Sequence, residues 1–243
     1  MLEALGITIA GRLNKVTAQL HAGRVTAICG PNGAGKSTLL SALAGLILPD
    51  SGVVTLQSQP LCQITPHQRA CRMGYLPQSA HIAWNISVRT LAALGRMPHR
   101  TSPAENARAV DEALGLMQLD QLAERPLSEL SGGERARALI ARVLATQPNW
   151  ILADEPLAAL DLAHQQALAL RFRELASQGR GVVMVVHDLA LAMNYADHVI
   201  VLDHGSVAAC GAPVKALSEQ VISDVWGLQA RWLGDPGHRA LAM

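Results

Sequence analysis

The segment Gly30-Pro31-Asn32-Gly33-Ala34-Gly35-Lys36-Ser37 constrains this chain more than any other feature. Glycines at 30, 33 and 35 let the backbone turn tightly and aim successive amide N–H groups inward, a geometry that cradles phosphate oxygens. Lys36 adds a point charge, Thr38 continues the set, and the Ser37 hydroxyl is placed to ligate a Mg²⁺ bridging the outer phosphates. Residues 24–29 read as a strand and residues 37–47 as a helix, so the loop has the strand-loop-helix setting it needs. The helix also offers its positive N-terminal end to the same anion. A second segment, Leu130-Ser131-Gly132-Gly133-Glu134, opens another helix whose hydroxyl and amides can cap an anion. The two segments together imply a nucleotide that is held and cut.

Composition narrows the setting. At 243 residues, 50% hydrophobic and 16% charged, the chain has ample core and is not disordered as a whole. A net charge of +1 advertises no counterion-driven binding to nucleic acid. Cys29, Cys62, Cys71 and Cys210 show no CxxC spacing, which argues against a zinc site or disulfide framework and for a reducing compartment. The start lacks the basic region of a signal peptide, and no apolar run reaches the 18 or so residues of a membrane span. The nearest run, residues 39–48, is expected to lie buried as part of the phosphate-loop helix.

Patterning gives the organisation. Residues 2–9, 13–20, 53–56 and 73–76 are expected strands. From residue 87 to 146 the period becomes helical, with Ala107, Val110, Leu114 and Met117, then Ala136, Leu139, Ile140 and Val143, at helix spacing. Residues 150–154 read as a fully buried strand, followed by a helix near 162–176, a strand at 181–186 and a helix at 188–196. Strands alternating with helices imply a mainly parallel sheet. Val221, Ile222, Val225 and Trp226 predict one more helix covering the end of the chain.

In this order the segments resemble an ATP-binding-cassette ATPase over essentially the whole chain. The resemblance implies an α/β phosphate-loop fold with a mainly parallel sheet core, an antiparallel β region and an inserted helical subdomain. It implies one domain, residues 1–243: a catalytic core of about 1–78 and 148–217, a helical subdomain of about 79–147, and a covering segment at 218–243. Residues 30–37 match the Walker A loop, 151–154 match Walker B, and Leu130 to Glu134 match the LSGGE signature. Carried over on those matches, ATP is the cofactor with Mg²⁺, which Asp154 holds through water beside Ser37 and Gln78. Glu155 polarises the attacking water, Gln78 senses the γ-phosphate and metal, and His187 is the switch histidine against that phosphate. Asp161 belongs to the aspartate loop, where Ala159 stands in place of a frequent serine. The resemblance also implies a head-to-tail dimer, each ATP lying between one chain's Lys36 loop and the other chain's Ser131 helix.

One departure concerns the base. The family usually stacks adenine on an aromatic residue ahead of the Walker A loop, and here no Phe, Trp or Tyr precedes Tyr75. Unless Arg12 lends its guanidinium plane, discrimination between ATP and GTP is expected to be weak.

Residues 74–78, Ser87-Val88, 93–99, 187–192 and 195–197 look like those of importer ATPases serving iron-siderophore, haem and cobalamin uptake. The expected cargo is an iron-siderophore complex, with haem or cobalamin as alternatives and an exporter subunit as a further one. The implied partners are a second copy, two transmembrane permease subunits and a periplasmic or extracellular binding protein, at the cytoplasmic face of the plasma membrane, without nucleic acid. A DNA-repair or condensing cassette would need long coiled-coil arms, for which 79–129 has no sustained heptads. His99 is expected as a surface residue of the helical lobe rather than an iron ligand.

Overall fold

The computed structural model describes residues 1–79, 85–158 and 160–243. The chain opens with β1 (Leu2–Ile9), β2 (Leu13–Leu20), β3 (Val25–Cys29) and α1 (Lys36–Leu43). Next come β4 (Ser51–Leu56), β5 (Gln59–Pro60), α2 (Pro66–Arg72) and β6 (Met73–Leu76). Helices α3 (Val88–Leu94), α4 (Pro103–Leu116) and α5 (Gly132–Ala145) precede β7 (Trp150–Asp154), α6 (Leu162–Ser177), β8 (Gly181–Val185) and α7 (Leu189–Tyr195). The last elements are β9 (His198–Asp203), β10 (Ser206–Gly211), α8 (Pro213–Ala216), α9 (Glu219–Trp226), β11 (Arg231–Leu233) and β12 (Ala240–Ala242).

The main sheet has the order β10-β9-β3-β8-β7-β6, parallel from β9 to β6 with β10 antiparallel at one edge. A second, antiparallel sheet has the order β2-β1-β4-β5. This is the α/β class expected from the alternation of apolar strands with helices.

Strands β3, β7 and β8 are buried along their whole length because both sheet faces are covered. Their side chains divide with period two. Val25, Ala27, Ile151, Ala153, Val182 and Met184 point into one core with Phe172 and Leu175 of α6 and Met193 of α7. Ile28, Leu152, Val183 and Val185 point into the other, against Leu39, Leu40 and Leu43 of α1. Alternation cannot be read from such strands when every position is apolar, so composition and length had to carry the expectation.

Between β6 and β7 the chain builds a helical block in which α3, α4 and α5 pack on one another. α4 buries Ala109, Val110, Ala113 and Leu114 and leaves Ala107 exposed, so its inward stripe lies to one side of the expected one. Arg96 is buried beneath it, donating from Nε to Asn106 Oδ1 (2.9 Å) and from Nη1 to the Ala145 carbonyl (2.9 Å). These bonds tie the loop after α3 to α4 and α5. His99 is half-buried rather than a surface residue, and its Nε2 is enclosed without a partner among the described residues. That desolvation, with Arg96 nearby, holds its pKa below the usual histidine value.

The apolar run 39–48 departs from expectation. Helix α1 ends at Leu43, and Gly45 adopts φ +69°, a left-handed turn in which its N–H bonds to Ala42 O (2.9 Å) and that of Leu46 to Ser41 O (2.9 Å). Leu46, Ile47 and Leu48 then face outward at 61%, 39% and 69% exposure instead of joining the core. At the other end, the covering helix α9 is followed by an antiparallel hairpin, β11–β12, that periodicity did not announce. Among the described residues no helix is long and apolar enough to cross a membrane.

Candidate active site

The parallel strands converge on one edge with their carboxyl ends, where the loops that can hold a ligand emerge. The loop after β3 carries residues 30–35, Gln78 follows β6, Asp154 and Glu155 end β7, and His187 follows β8. The strand order β3-β8-β7-β6 sets these four loops side by side.

The phosphate loop is shaped by steric demands that only glycine meets at two points. Gly30 has φ +147°, and a Cβ there would strike the Leu202 carbonyl of β9. At Gly35, φ is +98° and a Cβ would sit 2.8 Å from the Arg12 carbonyl oxygen. Gly35 also starts α1 without any side-chain cap and with no acidic residue in the first turn. Helices α2 to α7 and α9 all have a capping Ser, Thr or Asp, whereas α1, like the one-turn α8, has none, and its first amides are left open to an anion. Lys36 is buried, and its Nζ donates to the carbonyls of Gly30 (2.8 Å) and Pro31 (2.9 Å). Burial lowers its pKa, and the nearby carboxylates of Glu155 and Asp154 oppose that shift. Cys29, wholly buried under the loop, has its thiol pushed up to about 12 by desolvation and stays neutral.

Glu155 lies at the centre. Its backbone takes φ +51°, outside the conformations side chains favour, held by its N–H on the Val185 carbonyl (3.2 Å). Its Oε1 accepts from Gln78 Nε2 (2.9 Å) and stands 2.6 Å from His187 Nε2. Three residues from three loops therefore share one oxygen. Asp154 beside it is buried, with Oδ1 enclosed and without a hydrogen-bond partner among the described residues. Desolvation raises its pKa, while a hydrogen bond from Ser37 works the other way. A buried carboxylate oxygen left open next to a serine hydroxyl is a hard-donor pair suited to a small divalent cation.

One cleft connects these groups. It runs from Asn32, Gly33 and Gly35 over Lys36, Ser37 and Thr38 to Gln78, Glu155 and His187, with the exposed Arg12 on its rim. Pro31 and Ala34 complete the loop from behind, Ala34 accepting from the Gly205 N–H at 3.1 Å while Gly205 accepts from the Asn14 N–H at 2.8 Å. This brace from the β9–β10 turn was not foreseen, because nothing local at Gly205 marks a partner so distant in sequence. Among the described residues no Phe, Trp or Tyr lines the cleft.

The signature residues are elsewhere. Ser131 caps α5 in a capping box, its Oγ accepting from the Glu134 N–H (3.3 Å) and its own N–H donating to Glu134 Oε2 (2.8 Å). These bonds keep the Glu134 carboxyl below its ordinary pKa. Gly132 and Gly133 form the first turn, and none of residues 131–134 lines the cleft of its own chain. Asp161 caps α6, accepting from the His164 N–H at 2.9 Å, which lowers its pKa, and is also outside the cleft. Ala159 lies outside the described residues. Gln165 of α6, which the sequence did not single out, donates from Nε2 to the carbonyls of Leu157 (3.1 Å) and Leu160 (3.0 Å) and steadies the segment leading to Asp161.

A phosphate-cradling loop at the head of a parallel sheet, with a carboxylate and a histidine on the neighbouring strand ends, defines an ATP-hydrolysing nucleotide-binding cassette. The chain belongs to the ABC transporter family, whose model matches residues 13–158. It is 42% identical over 229 residues, 93% of this chain and 78% of the relative, to the hemin import ATP-binding protein HmuV of Rhodococcus jostii (strain RHA1). Among solved structures it is similar to an inward-facing ABC transporter described as metal-chelate type, with a TM-score of 0.84 and 26% identity over 99% of this chain and 95% of that one. It is also similar to a dimeric ATP-binding cassette in a post-hydrolysis state bound to ADP and Pi, with a TM-score of 0.80 and 26% identity over 88% and 99% of the two chains. The protein is thus an ABC-type ATPase.

Proposed function

We propose that this chain is the ATP-hydrolysing subunit of an importer whose cargo is haem. The observation that carries the catalytic part is the single Glu155 oxygen shared by Gln78 and His187 beside the phosphate loop. The sequence reading put an iron-siderophore complex first, and the hemin import relative shifts the preference to haem. The cargo contacts belong to other polypeptides, so reconstitution decides the matter. With its neighbouring permease, hemin on the cognate binding protein should stimulate ATP hydrolysis while an iron-siderophore complex or cobalamin does not. Stimulation by siderophore alone would restore the first reading, and stimulation by none would remove both.

The chain's own residues support a division of labour. Lys36 and the free amides of α1 bind the β- and γ-phosphates, replacing the carbonyl contacts that Lys36 now makes with Gly30 and Pro31. Ser37, Asp154 and Gln78 would hold a Mg²⁺, which when bound supplies charge neutralisation at the phosphates. Glu155 accepts the proton of the attacking water, and Gln78 and His187 hold that carboxylate until the γ-phosphate arrives.

Two copies complete the site. Ser131, Gly132, Gly133 and Glu134 form a capped helix start that does not line the cleft holding the Lys36 loop of the same chain. They serve the partner's nucleotide, and Asp161 lies at the same seam. Ser131→Arg should abolish hydrolysis while leaving nucleotide binding intact, because the side chain blocks the seam and not the cleft. ATPase at the unmodified rate in that variant would refute the sandwich. The dimer would dock on two permease subunits at the cytoplasmic face of the inner membrane, with a binding protein delivering the cargo. A net charge of +1 offers nucleic acid no counterion-driven attraction.

A further inference from the structure

The short helix α7 is gripped at both ends. At its start Asp188 accepts from the N–H groups of Ala190 (2.7 Å) and Leu191 (3.2 Å), and His187 is the residue immediately before that cap. Near its other end Asn194 forms a closed pair with one residue of the terminal hairpin. Its Nδ2 donates to the Arg239 carbonyl (2.8 Å) and its Oδ1 accepts from the Arg239 N–H (2.8 Å). The carboxamide behaves as a one-residue strand partner. The Arg239 side chain also reaches Met193 Sδ (3.8 Å), and Arg173 of α6 donates to the Asn194 carbonyl (3.3 Å).

The hairpin has further anchors besides α7. Trp232 Nε1 donates to the Leu217 carbonyl (2.7 Å), its N–H donates to Glu219 Oε1 (3.3 Å), and Trp232 and Leu241 pack on the main core. A fixed support thus holds the far end of a rod that rises roughly 10 Å at 1.5 Å per residue. The near end carries the imidazole that stands 2.6 Å from Glu155 Oε1.

We propose that the C-terminal hairpin is a clamp on the switch helix and that Asn194 is a positioning residue for His187. The clamp touches neither nucleotide nor the reacting atoms. It fixes the angle at which α7 leaves β8, and with it the reach of the imidazole across the cleft. The inference rests on the reading of His187 as a residue of the hydrolytic step.

The test compares Asn194→Ala and Arg239→Pro with His187→Ala in the full chain. Asn194→Ala removes both bonds, whereas Arg239→Pro acts from the hairpin side, removing the N–H and the Arg239 side-chain contact with Met193 Sδ without altering the sequence of α7. Both should lower kcat by about 10-fold, within the range a small misplacement of a catalytic group costs. KM for ATP should stay unchanged, and the NMR resonance of the His187 imidazole should move. Asn194→Asp, which keeps an acceptor for the Arg239 N–H, should recover part of the rate. A merely structural bond would lower thermal stability with kcat per folded molecule and the His187 resonance unmoved, and that result overturns the clamp. Loss of rate in His187→Ala with normal rates in Asn194→Ala and Arg239→Pro overturns the clamp alone. A normal rate in His187→Ala overturns the reading of the histidine, and the clamp with it.

Discussion

Glu155→Gln is expected to lower steady-state ATP hydrolysis by about 10²–10⁴-fold, the span a positioned general base contributes, while ATP affinity stays unchanged. The substitution preserves the shape of the side chain, so the bonds to Gln78 and His187 at 2.9 and 2.6 Å can persist in altered polarity. What it removes is the capacity to accept a proton from water. Single-turnover hydrolysis and nucleotide titration separate the two effects. On the proposed sandwich the same variant should accumulate as a dimer with ATP and magnesium, measurable by light scattering, since the seam would close on binding and reopen only on hydrolysis. Strictly monomeric material under those conditions would contradict the sandwich, and an undiminished rate would remove Glu155 from the base role.

Lys36→Ala should weaken nucleotide binding itself. In the present state the ammonium is buried on two loop carbonyls, at 2.8 and 2.9 Å, and burial already lowers its pKa. A triphosphate offers that cation a better partner, and a charge-assisted hydrogen bond contributes about 1.5–3 kcal/mol. Affinity should therefore fall by about 10- to 150-fold at 1.4 kcal/mol per decade. Because the contact is with phosphate and not base, titration with inorganic tripolyphosphate should show the same loss as ATP. A loss for ATP that tripolyphosphate does not share would move Lys36 away from the phosphates.

The two substitutions differ in how visible their targets were. Residues 30–37 announce their geometry locally, since the glycine spacing, the lysine and the flanking strand and helix lie within one short stretch. Gly30 and Gly35 adopt the positive φ that this spacing implied. The anion-capping segment at Ser131 was equally local, although the structure uses the Glu134 carboxylate to close a capping box within its own chain. Glu155, Gln78 and His187 were identifiable only through resemblance, because a lone glutamine, glutamate or histidine at the end of an apolar run carries no chemistry of its own.

Other features had weak signals. The run after Leu43 looked buried because hydrophobicity alone does not say where a helix ends, and the left-handed turn at Gly45 decided it. The strand His198–Asp203 is an apolar run that could have been read, whereas β11 and β12 are three residues each and fall below any usable periodicity. His99 is expected at the surface as a lone imidazole far from any metal-ligand constellation, and only packing in the helical block encloses its Nε2.

By itself the sequence determined those parts of the protein whose causes lie within about one turn or one strand: the phosphate loop, the capped helices and the all-apolar strands β3, β7 and β8. Tertiary structure alone decided which of those parts meet. Gln78 and Glu155 are 77 positions apart, Glu155 and His187 are 32 apart, and Asn194 and Arg239 are 45 apart. The first two meetings follow from the strand order β3-β8-β7-β6 and from burial on both faces of that sheet, and the third from the docking of the terminal hairpin on the core. That order is a property of the whole core, since closing such long loops costs entropy that only collective burial offsets.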